Sequence, residues 1–121
     1  MSYGSLKTYV KRWNINIATN EDKYYEVFSY TAEKDCFVFI CADTYYTSPQ
    51  PLGLKISVEG NIYSDNDDDY QIISKIESND YNEISTSCNV YVRSGRKIKI
   101  EERISSIGRL TGGVAYQVVP V

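Results

Sequence analysis

Residues 84–100 read ISTSCNVYVRSGRKIKI and show the clearest strand–turn–strand pattern in the chain. From Ile84 to Val92, apolar residues and threonine alternate with polar ones, which is typical of a strand with one buried face. Gly95 lies where a tight turn needs a residue that adopts a positive φ, and the alternation resumes over residues 97–101. The stretch therefore predicts an antiparallel hairpin.

Alternating segments of the same kind continue on both sides of this hairpin. They share enrichment in Val, Ile, Tyr, Phe and Thr, and they lie at residues 13–17, 24–30, 36–41, 52–58, 70–76, 84–92, 97–101 and 113–119. No convincing crossover helix separates them, so the chain is predicted to be all-β, an antiparallel β-sandwich or barrel of about eight strands. Pro49 and Pro51, and the polar residues 78–80, are predicted breaks between strands.

Residues 36–41, CFVFIC, are apolar on both parities. In a short β-rich run this pattern favours a central strand that is covered on both faces. We therefore expect this segment to form the centre of the core.

The chain has 121 residues, which is the size of one ordinary domain. We assign residues 1–20 to an N-terminal arm or first strand, and residues 21–121 to a single β-sandwich. Residues 5–12 also fit a short helix. Trp13 is a large apolar side chain in this first segment, and we expect it to dock on a larger lattice or on a neighbouring subunit.

Composition excludes several functions. The chain has no histidine, which removes Ser–His and Cys–His nucleophile activation and His-ligated zinc. A formal net charge of -3 argues against wrapping nucleic acid, and no apolar run approaches the length that spans a bilayer. We predict no enzymatic activity, no cofactor, and neither nucleic acid nor membrane as a partner.

Tyrosine is unusually frequent, with 12 residues against 3 phenylalanines and 1 tryptophan. Many tyrosines fall at strand ends, on outward parities or in loops, where an apolar ring with a polar tip suits a partly wet contact. Tyr45 and Tyr46 precede a proline-rich stretch that is typical of a presentation loop, which could stack on a sugar or anchor a protein interface. The alternative is strand propensity with half-buried packing.

Charge is distributed unevenly along the chain. Eight acids and one base lie between Glu59 and Glu83, whereas six bases and two acids lie between Arg93 and Arg109. Such asymmetry could steer contacts between subunits, with Arg93 and Arg96 of the hairpin as interface candidates. The alternative is that both segments are simply solvated faces.

Asp65, Asp67 and Asp69 have the alternate spacing with which a turn presents oxygen ligands to Ca²⁺. Tyr70 stands where an EF-hand loop needs glycine, and Ile76 stands where it needs a bidentate glutamate. A solvated hairpin loop is therefore favoured over a calcium site.

Three segments together resemble the jelly-roll domains of the tumour-necrosis-factor and C1q type, including those of bacteriophage virion proteins. They are residues 31–40, in which a polar turn leads into an aromatic-rich run, residues 90–100, which match the hallmark hairpin, and residues 113–121, which are similar to the closing strand. The resemblance covers residues 25–121. It implies a β-sandwich that commonly assembles as a trimer and acts by binding rather than by catalysis.

The resemblance and the composition lead to one functional prediction. We expect a non-enzymatic structural protein of a bacteriophage particle, made in the bacterial cytoplasm, that acts as an accessory capsid or decoration protein. Its partners would be further copies of itself, with a trimer favoured, and larger capsid or virion proteins. The alternatives are a receptor-binding module that contacts carbohydrate or protein, and a small acidic inhibitor of a host protein.

Overall fold

The computed structural model describes residues 6–17, 23–60, 69–105 and 108–121. Within these ranges the regular elements are all strands, and no helix is long and apolar enough to cross a membrane. The strands are β1 (Tyr9–Ile17), β2 (Tyr24–Thr31), β3 (Cys36–Glu59), β4 (Tyr70–Val92), β5 (Lys97–Ile104) and β6 (Gly108–Pro120).

The six strands pair antiparallel and curl into two layers that share β3 and β4. The first sheet has the order β1, β6, β3, β4 and uses residues 36–45 of β3 with residues 83–92 of β4. The second sheet has the order β2, β5, β3, β4 and uses residues 52–59 of β3 with residues 70–78 of β4. The predicted all-β antiparallel sandwich of jelly-roll type is confirmed.

The predicted number of strands is wrong. Residues 36–41 and 52–58 belong to one continuous strand, β3, and residues 70–76 and 84–92 belong to another, β4. The register between these strands shifts after Tyr45 and again before Leu52, where they pass from one sheet to the other. Pro49 and Pro51 lie in this passage without a register partner on β4, so the missing N–H groups cost no ladder hydrogen bond.

The core lies between the two sheets. On β5, every second residue from Ile98 to Ile104 is buried, and residues 36–44 of β3 alternate in the same way. In the second sheet β3 is covered more completely, and residues 52–54 and 56–58 are all buried. Burial of each large aliphatic side chain contributes about 2 kcal/mol. The fully buried aliphatic residues, each at most 1% exposed, include Val38, Leu52, Leu54, Ile56, Val92, Ile98, Ile100 and Leu110.

The hairpin between β4 and β5 forms as predicted. Gly95 has a φ of 82°, which only glycine adopts readily. The turn is fastened to the loop after β2, because the Gly95 N–H donates to the Ala32 carbonyl at 2.8 Å and the Ser94 N–H donates to Asp35 Oδ1 at 2.8 Å.

Candidate interaction face

The outward side of the first sheet exposes large apolar side chains. Phe37 is 46% exposed and Phe39 is 41% exposed, while Cys36, Val38 and Ile40 between and beside them are buried. The expectation that residues 36–41 are covered on both faces is therefore wrong. The strand is central in its sheet, but only one of its faces meets the core.

Three of these side chains form an aromatic ridge, which we define as Phe37, Phe39 and Tyr91. Phe37 and Tyr91 are register partners on β3 and β4, and their ring centroids are 5.5 Å apart at an angle of 63°. Edge-to-face contacts of this kind add to the energy of area burial. The ridge is thus a preformed apolar projection on the surface.

Small side chains beside the ridge leave two shallow hollows on the same face. One has a volume of about 300 Å³ and the other about 230 Å³, and both are bordered by Cys41 and Ala115. Val10 of β1, which is 60% exposed, adds an apolar wall to the first hollow. The face therefore carries both projections and recesses.

The outward side of the second sheet is different, because its charges and tyrosines pair with one another. The Lys55 ammonium lies 3.5 Å from Glu101 Oε1 and 4.3 Å from the centroid of the Tyr24 ring. Further pairs are Lys99 with Tyr70, Lys97 with Glu26, Lys75 with Glu77, and Tyr24 with Glu77. The charged side chains and tyrosines of this side thus pair with one another, and Ile72 is its large exposed aliphatic residue, whereas the first sheet exposes the aromatic ridge.

Two of the predicted interface residues, Trp13 and Tyr46, point into the protein. Trp13 is only 8% exposed because β1 pairs along its whole length with β6 and directs the indole between the sheets. Its Nε1–H donates to Glu102 Oε1 at 2.6 Å, and the Tyr46 hydroxyl donates to Glu102 Oε2. Trp13 and Tyr46 therefore link the two sheets through Glu102; Trp13 is buried and not available for docking, whereas Tyr46 is half-buried.

Glu102 is fully buried, although nothing in the sequence singled it out as a candidate. Its burial could have been predicted from the alternation of β5, because Glu102 lies on the same face of the strand as Ile98, Ile100 and Ile104. Burial raises the pKa of its carboxyl to about 7, although the hydrogen bonds from Tyr46 and Trp13 oppose that shift.

We expect this carboxyl to make stability depend on pH. The folded protein keeps a proton on Glu102 up to a pKa of about 7, whereas the unfolded chain releases it near the ordinary value of 4.5. The contribution is therefore fully present below pH 4.5 and is lost as the pH rises through 7, a decrease of about 3 kcal/mol in the free energy of unfolding.

Urea unfolding between pH 4.5 and 8 measures this dependence. Glu102→Gln is expected to flatten it, because the amide is neutral at every pH and still accepts from Trp13. Glu101→Gln is the matched control, because Glu101 is adjacent in sequence but is paired with Lys55 and Lys99 outside the core. Equal pH profiles for the wild type and Glu102→Gln would show that Glu102 does not titrate on folding in this range.

The other predicted interface residues lie far apart. Tyr45 is 51% exposed at one end of the first sheet, and Arg93 is exposed just beyond the other end. About nine strand residues separate the two ends, a distance of about 30 Å. The Arg96 guanidinium packs against Gly60, with its nearest atoms 3.0 Å from where a Cβ on that glycine would stand. The structure does not bring these residues into one site.

Of the candidate metal ligands, only Asp69 lies within the described residues. Asp65 and Asp67 lie outside the described residues, and Asp69 is exposed. Across the described ranges no group of three or more Cys, Asp or Glu residues is placed to hold a metal ion. All three cysteines are free; Cys36 is buried, Cys88 is half-buried, and Cys41 is exposed on the outward face.

No protein-family model and no curated protein matches the chain. Solved structures do match. Murine APRIL superposes with a TM-score of 0.62 at 12% identity, covering 93% of this chain and 99% of that one. The chain has a TNF-like jelly-roll fold. A chain from the structure of infectious bursal disease virus, Gx strain, matches with a TM-score of 0.49 at 12% identity, covering 95% of this chain and 31% of that one.

Proposed function

We propose that this protein is a non-enzymatic structural component of a bacteriophage particle that assembles as a homotrimer through the outward face of its first sheet. The observation that carries the proposal is the exposed aromatic ridge beside two hollows on one face of a jelly roll. An apolar projection of this kind on a soluble protein marks a contact surface.

A second copy of the chain suits this face better than an unrelated partner. The ridge and the hollows lie on the same surface, so each copy offers both a projection and a recess. Arg93 stands at one end of the face, and Asp43 and Glu83 stand at the other. A neighbouring copy therefore meets complementary charge as well as complementary shape.

The surroundings of Glu102 favour a binding role over catalysis. A carboxyl with a pKa near 7 is the kind of group that acts as a general acid or base when it faces a cleft. Here both carboxylate oxygens accept hydrogen bonds from core side chains, and the residue has no exposed surface. Glu102 therefore has no route to a substrate and serves to connect the sheets.

The assignment to a bacteriophage particle is the part of the proposal that rests on sequence. Residues 25–121 resemble the jelly rolls of phage virion proteins, and the chain carries its contact surface on the sandwich itself. A small protein of this design suits an accessory capsid or decoration role, in which the trimer sits on a lattice of larger capsid proteins.

Light scattering after size-exclusion chromatography tests the assembly. We expect a mass of about 41 kDa at micromolar concentration, three times the 13.8 kDa of one chain, because apolar interfaces of standard size give dissociation constants in or below that range. A stable 13.8 kDa species at 100 µM would contradict the trimer.

Mass spectrometry of gradient-purified particles tests the virion role separately. We expect the chain at a copy number that is a multiple of three. Its presence in infected-cell lysate together with its absence from purified particles would contradict the structural role while leaving the trimer intact.

A further inference from the structure

A second surface feature lies where the edge strands β1 and β2 face each other across the sandwich. It is a cavity of about 550 Å³, which falls within the size range of small-molecule sites. It lies at the open edge of the sandwich and has Tyr116 in common with the smaller of the two hollows. Among its lining residues are Lys7, Tyr9, Tyr30, Glu33, Tyr116 and Val118.

Aromatic rings form the wall of this cavity. The Tyr116 ring stacks on Tyr9 at a centroid distance of 5.2 Å and contacts Tyr30 at 5.6 Å. The hydroxyl groups of these three tyrosines make no hydrogen bond with any residue in the described part of the chain. Burial raises the pKa of Tyr30 and of Tyr116, so both remain neutral phenols that can donate as well as accept.

One positive and one negative side chain stand at the rim. The Lys7 ammonium lies 4.9 Å from the centroid of the Tyr9 ring, and Glu33 is an exposed residue of the loop after β2. Neither forms an ion pair within the described ranges. Because the two charges are opposite, the cavity selects neither an anion nor a cation, yet it offers strong donors and acceptors.

We propose that this cavity binds a small neutral saccharide. A sugar ring has C–H groups on its faces, which pack against aromatic rings, and hydroxyl groups around its edge, which need donors and acceptors. The tyrosine rings provide the aromatic surface for the sugar faces, and the phenol hydroxyls, Lys7 and Glu33 provide donors and acceptors for the sugar hydroxyl groups. The site shares only Tyr116 with the hollows of the first sheet, and it differs from the Tyr45–Tyr46 loop that the sequence suggested for sugar contact.

Saturation-transfer NMR tests the proposal with three probes, the methyl β-glycosides of glucose, galactose and N-acetylglucosamine. Glucosamine and N-acetylneuraminic acid serve as cationic and anionic comparisons. We expect transfer to at least one neutral glycoside and weaker transfer to both charged sugars. Tyr30→Phe removes a hydroxyl group, and Glu33→Gln replaces a charged acceptor with a weaker neutral one. Each is expected to weaken that binding about tenfold.

Tyr81→Phe is the matched control, because it removes a phenol hydroxyl from a surface tyrosine that is 64% exposed and does not line the cavity. It is expected to bind as the wild type does. Thermal midpoints and oligomer mass of all variants verify folding. No transfer to any neutral glycoside, stronger transfer to a charged sugar, or unchanged binding by Tyr30→Phe and Glu33→Gln would overturn the proposal. Loss of binding in Tyr45→Phe alone would overturn it too, by placing the sugar at the loop.

Discussion

Replacing Gly112 with alanine is expected to lower the free energy of unfolding by about 4 kcal/mol, because the added methyl group would clash with neighbouring atoms. Its Cβ would stand 2.2 Å from the Asp43 carbonyl oxygen and 2.7 Å from Cζ2 of Trp13. The carbonyl is fixed by the pairing of β3 with β6, and the indole is held by its hydrogen bond to Glu102. Neither neighbour can move without breaking part of the core.

Gly113→Ala is the matched control for this substitution. The nearest atom to its added Cβ is the Lys11 carbonyl oxygen at 3.3 Å, followed by Asp43 Oδ1 at 3.5 Å. We expect a loss below about 1 kcal/mol by urea unfolding under the same conditions. Similar losses for both variants would show that Trp13 does not lie over Gly112 as described.

The double substitution Phe37→Asp with Phe39→Asp is expected to convert the proposed trimer into a folded monomer. Two aromatic anchors at the centre of an interface contribute about 2 kcal/mol each, so their loss weakens association at least about thousandfold. The side chains are 46% and 41% exposed in the single chain, so their replacement should leave the core intact. Light scattering would then report 13.8 kDa at micromolar concentration.

Ile72→Asp is the control for that experiment. Ile72 is 50% exposed, but it lies on the part of β4 that pairs into the second sheet. The same change from apolar to charged at this position is expected to leave the trimer unchanged. A trimer that survives the Phe37 and Phe39 changes, or one that dissociates only with Ile72→Asp, would exclude the aromatic ridge as the contact surface.

The strands could be predicted from sequence because each buries one face, and alternation records that directly. The alternation of apolar and polar residues does not show whether a strand ends at a break in the pattern or continues through it. Pro49 and Pro51 lack the N–H that a ladder uses, yet their fixed φ is compatible with extended chain, so β3 passes through them. The eight predicted segments become six strands because β3 continues through Pro49 and Pro51 and β4 continues through residues 78–80.

The aromatic ridge could not be predicted, because an exposed apolar face has the same composition as one that is covered by the core. Phe37 and Phe39 therefore suggested a strand buried on both sides. Trp13 and Glu102 illustrate the opposite case. They are 89 residues apart in sequence, and only the packing of β1 against β5 across the sandwich shows that an apparent surface anchor is a core residue.

Cys41 provides a native probe of the outward face. It is exposed on β3 and borders both hollows, whereas Cys36 is buried. Cys88 is half-buried, and burial raises its pKa to about 11, so its thiolate is scarce at pH 8. Alkylation by N-ethylmaleimide, followed site by site with mass spectrometry, thus reports the accessibility of this one surface.

The most direct test compares the alkylation rate of Cys41 in the wild type with that in the Phe37→Asp, Phe39→Asp variant at pH 8 and 50 µM chain. Because the face is covered in the trimer, we expect Cys41 of the wild type to react at least about tenfold more slowly, and to match the variant after dilution below the dissociation constant. A wild-type trimer whose Cys41 reacts as fast as that of the monomeric variant would contradict assembly through this face.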